Sequence, residues 1–204
     1  MRVLFDEQPD LVKAKSVSEA VRAGIALAEE NGRMIVEVLV DGEPWSDEAM
    51  VEASGEAGRG EEVHIVTAEP TELVSQVFAD AFDALPLAGE RQREAGELLE
   101  SGGQAEAMVK LGEALSIWQS VQQAVLMGAE VANIDLEQPT PGGLNPAVLI
   151  QQLSGKLELL RDALENEDPL GLSDTLMYDM PEIVEQWRMF LTELRQSVIG
   201  EPQS

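Results

Sequence analysis

His64 is the chain's single imidazole, the one side chain whose ordinary pKa suits a general base at neutral pH. It stands in the run Glu62-Val63-His64-Ile65-Val66-Thr67, which is β-branched and alternating, so a strand must hold it. No nucleophile signature accompanies it, and the position predicts a solvent-facing or rim histidine rather than the base of a serine–histidine triad. Cysteine is absent altogether, which removes zinc fingers, iron–sulfur sites, disulfide scaffolds and thiol nucleophiles. Carboxylates are what remains for chemistry. Glu90, Glu94, Glu97 and Glu100 step by fours and threes along one helix face, where several oxygens could be offered to Mg²⁺ or Ca²⁺. The helices contain no histidine, so the Glu-x-x-His pattern of carboxylate-bridged iron bundles is missing. Arg91 and Arg93 lie among the acids and dilute them, and the spacing predicts a solvated face.

Two other acidic or glycine-rich stretches fail their motifs. Around Asn166, Glu167, Asp168 and Gly171 an EF-hand would need ligands where Leu170 and Met177 stand. Gly55, Gly58 and Gly60 lack the Gly-Lys-Ser/Thr ending and the dinucleotide spacing of a phosphate loop. They are surrounded by Glu52, Glu56, Glu61 and Glu62, which predicts a flexible connection instead. No metal site and no cofactor follow from these residues.

Large amphipathic side chains point to binding rather than catalysis. Trp118 and Trp187 fall on apolar helix stripes and are expected in a core. Trp45 differs, because Asp41-Gly42-Glu43-Pro44-Trp45-Ser46 places it after a turn between acid and proline. Either it covers the edge of a sheet or it anchors a partner. With Tyr178 and Leu149 it forms the candidate partner-binding set.

The elements that must position these residues divide into two parts. Residues 1–68 read as a small ββαββ domain, with the helix on one face of a small sheet. Its expected strands are Val3 to Phe5, a return strand at Leu11 to Lys15 after a turn at Gln8-Pro9-Asp10, Met34 to Val40, and Glu62 to Thr67. Ser16 or Ser18 caps the helix, which runs to about Glu30 before Asn31-Gly32. Residues 69–204 read as a mainly antiparallel four-helix bundle, with helices at about 71–101, 104–134, 145–166 and 173–199. Thr71 caps the first of these, which keeps its register through Pro86 and is expected to bend there without breaking. Asn145-Pro146 opens the third, which carries the stripe Leu149, Leu153, Leu157, Leu160 and Leu164. Five leucines over barely two heptads are too few for a free coiled coil and fit packing within the chain better. The fourth keeps its register through Pro181.

Glu97-Leu98-Leu99-Glu100-Ser101-Gly102-Gly103-Gln104-Ala105-Glu106-Ala107, followed by Leu115 and Trp118, carries one resemblance. Together with Asp174-Thr175-Leu176-Met177-Tyr178-Asp179-Met180-Pro181 and Trp187, it resembles a family of uncharacterised bacterial proteins with a small α/β start and a helical remainder. That resemblance implies the same two-part α+β layout and brings no activity or site residues with it. The Leu-Leu-Glu-x-Gly then Glu-Ala segment is also similar to the turn of a tetratricopeptide repeat, but no second copy follows at a period of about 34 residues.

Composition sets the class of partner. The 204 residues carry 39 acids against 13 bases, a net charge of −26. A surface of that sign repels phosphate, so neither nucleic acid nor a membrane surface is an expected partner. At 44% apolar residues with clear periods, the chain is a folded protein rather than an acidic tail. No leader-like apolar run follows Met1, and the expected location is cytoplasmic. The longest uncharged runs, Ala114 to Ala129 and Gln138 to Gly155, are too short and polar to span a bilayer. Their apolar surface is large for one bundle, and a surplus would serve a helix-in-groove or dimer interface. The expected function is therefore that of a non-enzymatic adaptor or chaperone-like protein that binds another protein or itself. The alternatives are a carboxylate-based metal-binding protein or hydrolase, and a structural homo-oligomer.

Overall fold

Alternating β-branched residues build the middle of a five-stranded sheet. The computed structural model describes residues 1–9, 12–45 and 60–200. The chain is α+β, a small N-terminal sheet followed by helices. It divides into two compact units, Met1–Leu73 and Val74–Ser204.

In the first unit the strands are β1 (Arg2–Phe5), β2 (Gln8–Pro9), β3 (Met34–Val40), β4 (Glu43–Pro44) and β5 (Glu62–Ala68), in the spatial order β2-β1-β5-β3-β4. The last strand in sequence is thus the central one, parallel to β1 and antiparallel to β3. Helix α1 (Val17–Glu30) begins at Ser16, whose hydroxyl accepts the Glu19 N–H at 3.3 Å, so Ser16 is the cap and Ser18 is buried inside the first turn. Val63 and Ile65 of β5, Val38 of β3, and Val17, Ala20 and Val21 of α1 form the core of this unit. Gly24 lets α1 sit close on the sheet, since a Cβ there would collide with the Ile65 side chain.

Two corrections concern the first sixty residues. The expected turn at Gln8-Pro9-Asp10 lies earlier, at Asp6 and Glu7, both with positive φ (46° and 65°), and Gln8–Pro9 is the return strand. Residues Val12 to Lys15 are not a strand, while Asp10 and Leu11 lie outside the described residues. The second correction is β4, a two-residue strand that the sequence reading leaves out, which turns ββαββ into ββαβββ. The turn before it uses Asp41 and Gly42 at φ 52° and 86°. The Asp41 carboxylate also accepts the N–H groups of Glu61 and Glu62 at 2.9 and 2.8 Å, tying this turn to the start of β5. At the other end of β5, Thr67 is held by Asp6 and Arg33: its N–H and hydroxyl donate to the Asp6 carboxylate at 2.7 and 2.5 Å, and Arg33 Nη2 donates to its carbonyl at 2.9 Å.

The second unit is helical. Helix α2 (Pro70–Glu100) starts with Pro70 rather than with Thr71 as cap, because a first-turn proline gives up an N–H that has no partner there anyway. It runs unbroken through Pro86. Helices α3 (Gln104–Val131) and α4 (Pro146–Glu165) follow, the latter capped by Asn145, which accepts the Val148 N–H at 3.3 Å. The last helical run is continuous but not uniform: α5 (Pro169–Asp174), a π turn at Thr175–Asp179, then α6 (Met180–Gly200). The expected start at Ser173 falls inside this run, whose cap is Asp168, accepting the Gly171 N–H at 3.0 Å. The π turn has a cause in the sequence. Pro181 has no N–H, and its ring would strike the Met177 carbonyl in a regular α-turn, so the turn before it widens and the Met180 N–H bonds back to Thr175.

Phe78, Leu85, Trp118, Leu153, Leu176, Trp187, Phe190 and Leu194 are among the largest fully buried side chains of this unit. The Trp118 and Trp187 rings meet edge to face at 5.5 Å and 86°, and Trp187 meets Phe190 at 5.9 Å and 88°. No helix among the described residues is long and apolar enough to cross a membrane.

Candidate partner-binding groove

Among the described residues, β4 leaves part of its neighbour β3 without a partner strand. It pairs only with Leu39 and Val40, and the Trp45 N–H adds one bond, to the Val38 carbonyl at 2.8 Å. From Met34 to Glu37 the outer edge of β3 has no strand beside it among the described residues. The ladder to β5 slips between Ile35 and Glu37, so Val36 is the extra residue of a bulge and stands exposed. Beside this edge runs a groove of about 320 Å³, walled by Val21 and Ile25 of α1 and by Ile35, Val36 and Val38 of β3. Trp45 and Pro44 close it at the β4 end, and Glu37 is the one ionisable residue in its lining among the described residues. Ile25 and Val36, two of the exposed large apolar residues of this unit, both face it.

Of the two roles expected of Trp45, edge cover and partner anchor, its position bears on the first. Its backbone extends the β4 pairing by one bond while its side chain, half-buried, forms an end wall of the groove. The groove itself is not legible in the sequence, because its lining comes from α1, β3 and the end of β4 together.

The other predicted site residues lie on other elements. Tyr178 lies in the π turn and is 69% exposed. Leu149 is 6% exposed, so its side chain is packed into the helical core and not offered to a partner. The rest of its stripe explains this: Leu153 and Leu160 are buried with it and Leu157 packs against the same core, which leaves only Leu164 well exposed. His64 is half-buried in β5 between Leu4 and Leu39 on the flanking strands, with no acid or hydroxyl hydrogen-bonded to it among the described residues. Gly60 lies two residues before β5, while Glu52, Gly55, Glu56 and Gly58 lie outside the described residues.

The acidic face of α2 is occupied by cations of its own helix pair. Arg91 bonds Glu94 and Glu113 at 2.8 Å each, Lys110 lies 3.3 and 3.4 Å from the same two acids, and Arg93 bonds Glu97 at 2.7 Å. The alternating square Arg91, Glu94, Lys110 and Glu113 ties α2 to α3. No group of three or more histidine, aspartate or glutamate side chains among the described residues is arranged to hold a metal ion. The hydrogen bond from Arg91 holds the Glu94 carboxyl below the ordinary carboxylate range; partial desolvation opposes this, and Lys110 adds to it. A depressed carboxylate stabilises the fold fully above its unfolded value, about 4.3 for glutamate, and loses that contribution as the pH falls through the lower folded value. Urea midpoints measured from neutral to strongly acid pH should therefore fall less steeply in Glu94→Gln than in the parent. Superimposable acid limbs would mean that the square contributes nothing to the fold.

No curated protein and no solved structure matches the chain. A family model does match, over residues 76–190, which is more than half of the chain and lies wholly within the helical unit. The match runs from the first turns of α2 to Phe190 of α6, and so includes the charge square, the tryptophan pair and the π turn. The chain thus belongs to the family described as a domain of unknown function (DUF8042).

Proposed function

We propose that this protein is a non-enzymatic interaction module of the cytoplasm, whose first unit takes up an extended segment of a partner protein along the open edge of β3. The observation that carries this reading is the coincidence of an apolar groove with a strand edge that has no partner among the described residues. A peptide backbone would continue the ladder, alternate side chains would enter the groove beside Trp45, and main-chain bonding would supply affinity while the pocket supplies choice. Charge supports the kind of segment. Glu37 stands in the groove and the whole molecule is strongly acidic, so basic residues alternating with aliphatic ones are favoured and acidic segments are rejected.

An array of ten-residue peptides alternating valine or isoleucine with lysine, arginine, threonine or glutamate tests this directly. Lysine and arginine members should bind, glutamate members should not, and a central proline should abolish binding by removing a ladder donor. Trp45→Ala should weaken the best member by at least ~30-fold, about 2 kcal/mol at an interface anchor. Failure of every member to bind, or binding indifferent to Trp45→Ala, would remove the groove from the account.

A further inference from the structure

Helix α3 presents a second surface, on the side away from the core. Val109, Gly112, Ser116, Gln119, Gln123 and Leu126 recur at intervals of three and four, and all six are exposed. Val109 and Leu126 are 61% and 58% exposed, and Met127 beside them is 57% exposed, among the most exposed large apolar residues of the protein. Not one residue of this row is charged, over about 26 Å of helix, in a chain where a quarter of the residues are. Alternating steps of three and four, here 3.4 residues on average, keep a row facing a second helix.

We infer that this row is the contact between two copies of the chain, paired through antiparallel α3 helices. The row is complementary to itself in that direction. With the twofold axis between Ile117 and Trp118, Val109 faces Leu126 of the other copy, Gly112 faces Gln123, and Ser116 faces Gln119, so each smaller residue meets a larger one. A Cβ at Gly112 would meet nothing within its own chain, which leaves that notch for the opposing glutamine. Charge selects both the occupant and the direction. Two molecules of net charge −26 approach most cheaply where neither bears charge, and this face offers that. In the antiparallel register Glu113, at the margin of the row, faces Gln122, whereas a parallel pairing in register would set Glu113 against its own copy.

This inference goes beyond the β3 groove and stands or falls separately from it: Trp45→Ala should leave self-association unchanged. Sedimentation equilibrium of the whole chain should show a monomer–dimer equilibrium that tightens between 0.15 and 0.5 M NaCl, because salt screens the general repulsion and leaves the uncharged contact intact. Gln119→Glu and Leu126→Glu should each weaken it at least ~10-fold, with an unchanged thermal midpoint under conditions where the parent is monomeric, since both side chains point away from the core. The absence of cysteine makes the register testable by oxidation. A mixture of Val109→Cys and Leu126→Cys proteins should cross-link unlike chains, while either alone should not, its two thiols being about 26 Å apart and far beyond disulfide reach. A monomer at every concentration and salt, a dimer indifferent to both glutamate variants, or cross-linking of either cysteine variant with itself would overturn the proposal.

Discussion

Trp187→Ala should cost about 3–5 kcal/mol and lower the thermal midpoint of the helical unit by roughly 10–20 °C, followed by calorimetry or by urea titration. The ring is fully buried and makes edge-to-face contact with both Trp118 and Phe190, so truncation opens a cavity bounded by two other aromatic rings. Domains of this size have only about 5–15 kcal/mol to lose. Trp187→Phe separates packing from polarity. The indole N–H of Trp187 is buried with no hydrogen-bond partner among the described residues, as is that of Trp118, and an unpaired buried donor costs about 1–3 kcal/mol. Phenylalanine keeps a ring against Trp118 and deletes that donor, so it should cost well under half of what alanine does. Equal losses for the two variants would mean that the aromatic contacts contribute little and that the indole nitrogen has a partner.

The second large effect is a contrast between two helical glycines. At Gly128 of α3 an added Cβ would lie 2.5 and 2.8 Å from the Cε1 and Cζ atoms of Phe78, a fully buried ring that has no room to turn away. Overpacking of this kind costs about 1–3 kcal/mol, against a helix-propensity gain of about 1 kcal/mol. Gly128→Ala should therefore destabilise on balance, despite the better helix former. Gly155 of α4 has nothing within 4 Å of the same added atom, and there the propensity gain is unopposed. Gly155→Ala should stabilise by about 1 kcal/mol, giving two identical chemical changes with opposite signs in the same denaturation assay. A stable Gly128→Ala would show that α2 and α3 are less closely set than Phe78 implies.

Where local chemistry decides an element, the sequence reveals it. β3 and β5 are legible because six of the seven residues of β3 and five of the seven of β5 are β-branched or apolar, and α2 because its apolar row keeps step through Pro86. The misplacement of the first turn has a specific cause: Pro9 reads as turn chemistry, but an edge strand tolerates proline, and the true turn uses Asp6 and Glu7, whose left-handed backbone leaves little trace in composition. A two-residue β4 has no period to detect. The π turn is an answer to Pro181 given four residues earlier, and nothing at Thr175 to Asp179 announces it. The groove was hidden for a related reason. Its walls come from three separate elements, α1, β3 and the end of β4, which no local stretch of sequence brings together. Leu149 shows the converse, a residue singled out for its stripe that the same stripe takes into the core.

The position of β5 in the sheet bears on synthesis. Among the described residues its two flanking hairpins, β1 with β2 and β3 with β4, are joined in the sheet only through this last strand, and β1 pairs with it across about sixty residues. While the ribosome is still adding residues short of Ala68, the nascent unit holds two separate hairpins and a helix with nothing between them to complete a sheet. Closing so long a loop costs entropy before any contact is returned. The first unit must therefore fold late and all at once, after its final strand has left the exit tunnel, and a translational pause before that point would hold the apolar faces of both hairpins open to whatever chaperone is nearby.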